Sequence, residues 1–187
     1  MNDTLKTIAR RYSCRSFSDK PVSGADLRAI AEAGIQAPSA RNAQGWHISV
    51  VANKALIAEI EAEGIRVLSE LPDKSTYERV MGRGGKLFYN AQAVVFIAIK
   101  NGGTNAYAKI DLGIVAQNIA LAAASLGIDN CHCGLAAFCF AGGKAGEFNK
   151  KLNLPDDCEC GYGVLLGYAN AQGAPHVPDK SKISLTK

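Results

Sequence analysis

Residues 9–17, ARRYSCRSF, place three arginines (Arg10, Arg11 and Arg15) within six positions, beside Tyr12, Ser13 and Cys14. The first acid on the C-terminal side is Asp19, so the strip is not balanced by its own neighbours. A guanidinium offers a planar fork of donors that matches phosphate, and a serine hydroxyl adds one more. In an extended strip Arg11, Ser13 and Arg15 fall on one side, where a single phosphate-bearing ligand could meet all three. A solvated basic surface has the same composition, and charge alone does not separate the two.

Other chemistry-bearing patterns are weaker. GRGGK (82–86) is followed by Leu87, so it lacks the Ser or Thr of a Walker A loop. GYGVLLG (161–167) begins G-x-G but lies in a strand pattern and opens no helix, which fails the context of a dinucleotide fingerprint. The three histidines, His47, His132 and His176, sit near no G-x-S-x-G motif, and nothing marks one thiol as activated. Of the six cysteines, Cys131/Cys133 and Cys158/Cys160 have C-x-C spacing, shorter than the usual zinc or iron–sulfur spacings. On a strand each pair shares a side and packs as small core residues. A cysteine metal site built from those four is the minor alternative.

These residues must be held by regular elements. The pattern predicts a helix over Thr4–Arg10 with Asp3 as N-cap, then an extended segment to Pro21. SGAD (23–26) resembles a capping box opening a second helix to about Ile35, ended by Pro38. APSARNAQG (37–45) reads as a polar loop and WHISVVA (46–52) as a strand. An amphipathic helix spans 54–70, followed by a less regular stretch to Lys86. A strand at about 92–99 is apolar on both faces and therefore central. After NGGTN, a helix over 108–126 is apolar nearly all round, so in a chain this short a partner subunit covers its second face. NCHCGL (130–135) reads as a strand and its exit, 144–152 as a weak helix, and 161–169 as the last strand.

The 187 residues suit one domain over 1–187; 48% are hydrophobic and 20% charged, which favours a packed core. No apolar run approaches the ~20 residues that span a bilayer. The start lacks the apolar core of a signal peptide, and the expectation is a cytoplasmic protein with reduced thiols. A net charge of +4 is too small to imply nucleic acid, and no nucleic-acid-binding motif accompanies the arginines.

Five segments in order resemble the nitroreductase family. RRYSCRSFSDKPV is similar to its opening R-R-S-x-R-x-F pattern, and AIAEAGIQAPSARNAQGWHISVV to its helix, A-P-S-x-x-N-x-Q-P-W loop and strand. KLFYNAQAVVFIAI, IDLGIVAQNIALAAASLGIDNCHCGL and LNLPDDCECGYGVLLGYA are similar to the later strands and the D-x-G-x-A-x-Q-N helix. The resemblance implies an α+β, three-layer α/β/α fold: a mixed, largely antiparallel central sheet flanked by helices. It implies a homodimer with FMN at the subunit interface and NAD(P)H as electron donor to an organic acceptor such as a nitroaromatic or quinone. The flavin carries the redox chemistry, so no side chain need act as nucleophile or obligatory acid.

The resemblance also implies residue roles. Arg11, Tyr12, Ser13 and Arg15 fall on the phosphate, ribityl and pyrimidine end, with Arg15 near N1 and O2. Pro38, Ser39, Ala40 and Asn42 approach the flavin of the neighbouring subunit. Cys133, Gly134 and Leu135 border the isoalloxazine, and Lys180 and Lys182 have the i, i+2 spacing of a basic pair on the phosphate. The sequence departs from the pattern at Gly45 and Gln92, where the family has proline, and near Cys133, close to a position where some members have an acid. The chain is short for the family, with the insertion ahead of the 108–126 helix reduced. A flavin-binding sensor or carrier without NAD(P)H turnover is the alternative on the same fold.

Overall fold

The structure is a computed structural model that describes residues 1–100 and 106–186; the NGGTN segment and Lys187 of the basic tail lie outside the described residues. The described residues form six α-helices: α1 (Asp3–Arg10), α2 (Gly24–Ile35), α3 (Lys54–Glu70), α4 (Ser75–Met81), α5 (Ala108–Ser125) and α6 (Ala145–Lys151). Four strands accompany them: β1 (Trp46–Val51), β2 (Ala93–Lys100), β3 (Asp129–Cys133) and β4 (Cys158–Gly167).

Local signals account for most boundaries. The Ser23 hydroxyl caps α2 as expected, accepting from the Asp26 amide at 3.0 Å, and it donates to the Asp26 carboxylate at 2.7 Å. The α1 cap is Asn2, which accepts from the Leu5 amide at 3.0 Å, not the expected Asp3; Asp3 is already helical and pairs with Lys6. Adjacent Asn and Asp are near-equal cap formers, so the sequence does not choose between them. Helix α4 was not expected: with seven residues and Val80 as its one buried side chain, it is too short to show a stripe.

The strands pair antiparallel in the order β1-β2-β4-β3. The parallel contribution among the described residues is one bridge, Ser13 to Asn130, which adds the arginine strip to the outer edge of β3. Central β2 sends Val94, Phe96 and Ala98 to one core and Ala93, Val95 and Ile97 to the other. The first core lies beneath α3, α6 and the 3-10 turn Gly134–Phe140; the second lies beneath α2 and α5. Helices therefore cover both faces, giving the three expected layers.

Strand β4 begins three residues before the expected 161 because of a register shift opposite Ile97/Ala98. Gly161 is the extra residue there, so Cys158 and Cys160 turn into the same core as Leu165 even though the alternation is interrupted. All six cysteines are buried free thiols, and Cys131, Cys133, Cys139 and Cys160 are packed in that first core as small apolar residues.

One ionisable group fastens the first core. Glu61 on α3 is buried and accepts from the Phe88 amide at 2.7 Å, while Lys86 Nζ stands 3.6 Å from its other oxygen. Three residues on, Gly64 allows α3 to sit on the 3-10 turn: an added Cβ would lie 2.5 Å from Cys139 Sγ and 2.8 Å from Leu87 Cδ1. Both neighbours are fully enclosed. We predict that Gly64→Ala lowers unfolding stability by about 1–2 kcal/mol, overpacking outweighing the gain in helix propensity. Urea denaturation checks this; a variant as stable as the parent would mean that the core gives way at no cost.

Candidate functional site

The arginine strip is anchored at three points. Arg10 Nη2 donates to the Ala124 carbonyl at 2.6 Å, capping the C-terminal end of α5. The Cys14 amide donates to the Asn130 carbonyl at 2.9 Å, and the Ser18 amide to the Tyr168 carbonyl at 2.7 Å. Cys14 and Phe17 are buried in the first core, and Tyr12 packs against it. That leaves Arg11, Ser13 and Arg15 on the other side of the strip, with Arg15 exposed and the other two half-buried.

Arg11 and Tyr12 line a cleft of about 340 Å³ together with Arg10, Asp129, Asn130 and Gln172. Four buried side-chain polar atoms lack a hydrogen-bond partner among the described residues, and three of them (Arg11 Nη1, Tyr12 Oη and Asn130 Oδ1) belong to residues of this cleft. Buried polar atoms are almost always partnered, so such a concentration marks a place that expects a polar molecule. Asp129, the acid in the cleft, is engaged by the Ala169 amide at 2.9 Å. Burial raises the Tyr12 phenol above its ordinary range, and the Asp129 carboxylate adds to this, so Tyr12 is a neutral donor here.

Beyond Arg11, β3 presents His132 toward α5. Its Nε2 lies 3.2 Å from Gln117 Oε1, and its ring stands 5.9 Å from that of Tyr162. Burial, reinforced by the Arg11 guanidinium, lowers the His132 pKa, which keeps the imidazole neutral. Cys133 is buried at the strand exit, with Gly134 exposed and Leu135 half-buried after it. Burial pushes the Cys133 thiol up to about 12, so it is no nucleophile.

Pro38, Ser39, Ala40 and Asn42 occupy a tight loop between α2 and β1. Arg41, Asn42 and Gln44 all have left-handed backbones, with φ of 57°, 53° and 44°. The loop is held by Ser39 Oγ accepting from the Gln44 amide at 2.9 Å and by buried Asp111 accepting from the Ala40 amide at 3.2 Å. Asp111 lies in the first turn of α5, whereas Arg10 grips Ala124 near its end. Thirteen residues of helix separate these anchors, about 20 Å at 1.5 Å per residue. One chain therefore holds its loop and its strip at opposite ends of α5. Lys180 and Lys182 form an exposed 3-10 turn capped by Asp179, in a tail exposed throughout its described length.

Gln117, His132 and Tyr162 beside β3, and Asp111 beneath the loop, are further candidate residues that the sequence did not single out. The alternation did carry one signal: with Cys131 and Cys133 in one core, His132 has to face the other way.

Comparison with known proteins converges on one group. The model of the nitroreductase family matches residues 8–168. A solved structure of a nitroreductase with bound FMN from Desulfitobacterium hafniense DCB-2 is 49% identical, superposes with a TM-score of 0.95, and is matched over 100% of both chains. An Archaeoglobus fulgidus protein provisionally named NADH dehydrogenase/NAD(P)H nitroreductase is 36% identical over 75 residues, which span 40% of this chain and 42% of that relative. The FMN reductase (NADPH) of Bacillus subtilis is 24% identical over 196 residues, covering 97% of this chain and 72% of the relative.

The neutral state of His132 has a consequence for stability. A base whose folded pKa is depressed contributes fully above its unfolded value, near 6.5, and loses that contribution as pH falls toward the folded value. We predict that the stability of the ligand-free protein declines on acidification from about pH 7 and that His132→Gln makes this decline shallower. Denaturation midpoints across pH check this; identical profiles for parent and variant would contradict it.

Proposed function

The chain belongs to the nitroreductase family, and from that premise we propose that it is an FMN-dependent oxidoreductase passing reducing equivalents from NAD(P)H to an organic acceptor such as a nitroaromatic or quinone. The single observation that carries this reading is the cleft of unpartnered polar atoms beside Arg11. Arg11 Nη1 and Tyr12 Oη are donors suited to phosphate oxygens, and Asn130 Oδ1 is an acceptor suited to a sugar-alcohol hydroxyl. A molecule with both features on one arm is what FMN presents. Neither Arg11 nor Arg15 has an acid partner among the described residues, so the positive charge is available to an anion.

FMN, when bound, supplies the redox chemistry, accepting hydride from the nicotinamide and reducing the acceptor. The chain's own residues hold and tune. Arg11, Tyr12 and Ser13 hold the phosphate and ribityl arm, joined by Lys180 and Lys182. Arg15 places positive charge at the pyrimidine end, where negative charge develops on reduction. Cys133, Gly134 and Leu135 border the ring, and neutral His132, within the field of Arg11, adds no competing charge.

Two chains complete this site. The Pro38–Asn42 loop and the strip are about 20 Å apart along α5 within one chain, and Ile110 on α5 is 58% exposed. Tail residues Val177 and Leu185 are 93% and 89% exposed, with no packing of their own. A homodimer that pairs α5 helices brings Pro38, Ser39, Ala40 and Asn42 of one subunit to the strip of the other. No helix among the described residues is long and apolar enough to cross a membrane. Six free thiols agree with the reducing cytoplasm as its compartment. One domain over 1–187 serves both binding and chemistry.

The purified protein is predicted to be yellow or to become so with added FMN, and anaerobic NADH or NADPH should bleach it. A colourless protein that ignores FMN would overturn the reading; a flavin that stays oxidised would make it a carrier. Arg11→Ala should weaken FMN binding about 10- to 100-fold, the value of a charge-assisted contact of ~1.5–3 kcal/mol. Sedimentation should give twice the 19.7 kDa chain mass; a monomer that retains FMN would contradict the two-chain site.

A further inference from the structure

Arg15 belongs to the strip but also lines a second opening. That cleft, of about 500 Å³, is formed by Arg15, Arg83 and Tyr89. Arg83 comes from the turn after α4, in the GRGGK segment. The turn is present: the Arg83 amide donates to the Val80 carbonyl, and Gly84 and Gly85 follow with φ of 87° and 65°. These left-handed glycines reverse the chain directly after Arg83 and fix where its side chain starts.

Tyr89 is fixed by different means. Tyr89 and Asn90 both have left-handed backbones, φ 49° and 65°, a conformation that non-glycine residues adopt only where the surroundings impose it. Here the surroundings do: the Phe17 amide donates to the Tyr89 carbonyl at 3.4 Å, Gln92 Nε2 to the Asn90 carbonyl at 3.0 Å, and Asn90 Nδ2 to Asp19 at 3.3 Å. Tyr89 thereby joins two arginines from distant parts of the chain in lining this cleft.

The charge at this cleft is one-sided. Lys86, three residues beyond Arg83, is drawn to Glu61, and Lys6, Arg66, Lys100, Lys151 and Lys182 also have carboxylate partners. Arg15 and Arg83 have no acid partner among the described residues. Asp19, just past the strip, accepts from Asn90 Nδ2 at 3.3 Å. Both arginines are exposed and line one cleft, and each guanidinium offers the fork that suits carboxylate or phosphate.

We propose that Arg83, with Arg15 and Tyr89, forms a specificity site for an anionic group, carboxylate or phosphate, on the molecule that exchanges electrons with the flavin. This rests on the flavoenzyme reading above and goes beyond it by naming a charge requirement for the substrate. The flavin's own phosphate is assigned to the separate cleft at Arg11. The anion here belongs to a second molecule, either the acceptor or the nicotinamide donor.

The test is steady-state kinetics on the FMN-loaded protein with two matched pairs. One pair is 4-nitrobenzoate and 4-nitrobenzamide, which share a ring and nitro group and differ in charge. The other is NADPH and NADH, which differ by one phosphate. The parent should prefer the more anionic member of one pair. In Arg83→Gln that pair's ratio of kcat/KM should fall about tenfold, mainly through KM, and Arg83→Lys should restore part of it. A change confined to the nitro pair assigns the anion to the acceptor, and one confined to the nucleotide pair assigns it to the donor. Ratios unmoved in both pairs, with FMN content and NAD(P)H bleaching intact, would overturn this inference alone. Absence of FMN binding would overturn the flavoenzyme reading and this inference with it.

Discussion

A guanidinium nitrogen taken out of water without a partner is expensive, and Arg11 Nη1 is in that position. Much of the surrounding structure keeps it there. The strip is bridged to the edge of β3 through Ser13 and Asn130, tied to the end of α5 through Arg10, and plugged into the core by Cys14 and Phe17. These contacts fix the backbone that carries Arg11 beside the cleft. An anion there removes the cost. The unpartnered Tyr12 and Asn130 atoms extend the same requirement from a point charge to a polar arm.

Helix α5 is the second element on which the account depends. It packs under the sheet through Val115, Ala116, Ile119 and Ala123, positions Gln117 beside His132, and anchors the 38–42 loop and the arginine strip at opposite ends. Its length sets the distance between those two halves of the site. Leu112, Ile114 and Leu121 remain half-buried and Ile110 exposed, so the helix has apolar surface to share. In the proposed homodimer a second copy would cover that surface and bring the two halves together.

Much of this was legible in the sequence because it depends on local order. The strip showed itself by an imbalance of charge within six positions, the α2 cap by Ser23 and Asp26, and β2 by a run apolar on both faces. Features that depend on which surfaces meet were not legible. Asp111 reads as an ordinary helix-start acid until its carboxylate is seen accepting from Ala40, and Gln117 as a polar break in an apolar helix until His132 stands opposite. The bulge at Gly161 hid the first residues of β4 by interrupting the alternation, and α4 is too short to display a period. Arg83 was obscured by its own glycines, which predict the turn and say nothing of what the side chain between them faces.

The central claim is that the Arg11 cleft exists to hold a phosphate. The most direct measurement is calorimetric titration of ligand-free protein with FMN and, separately, with riboflavin, which has the same ring and ribityl chain but no phosphate. FMN should bind tighter by about tenfold or more, with the difference shrinking as salt is raised. Equal affinities for the two flavins would contradict it.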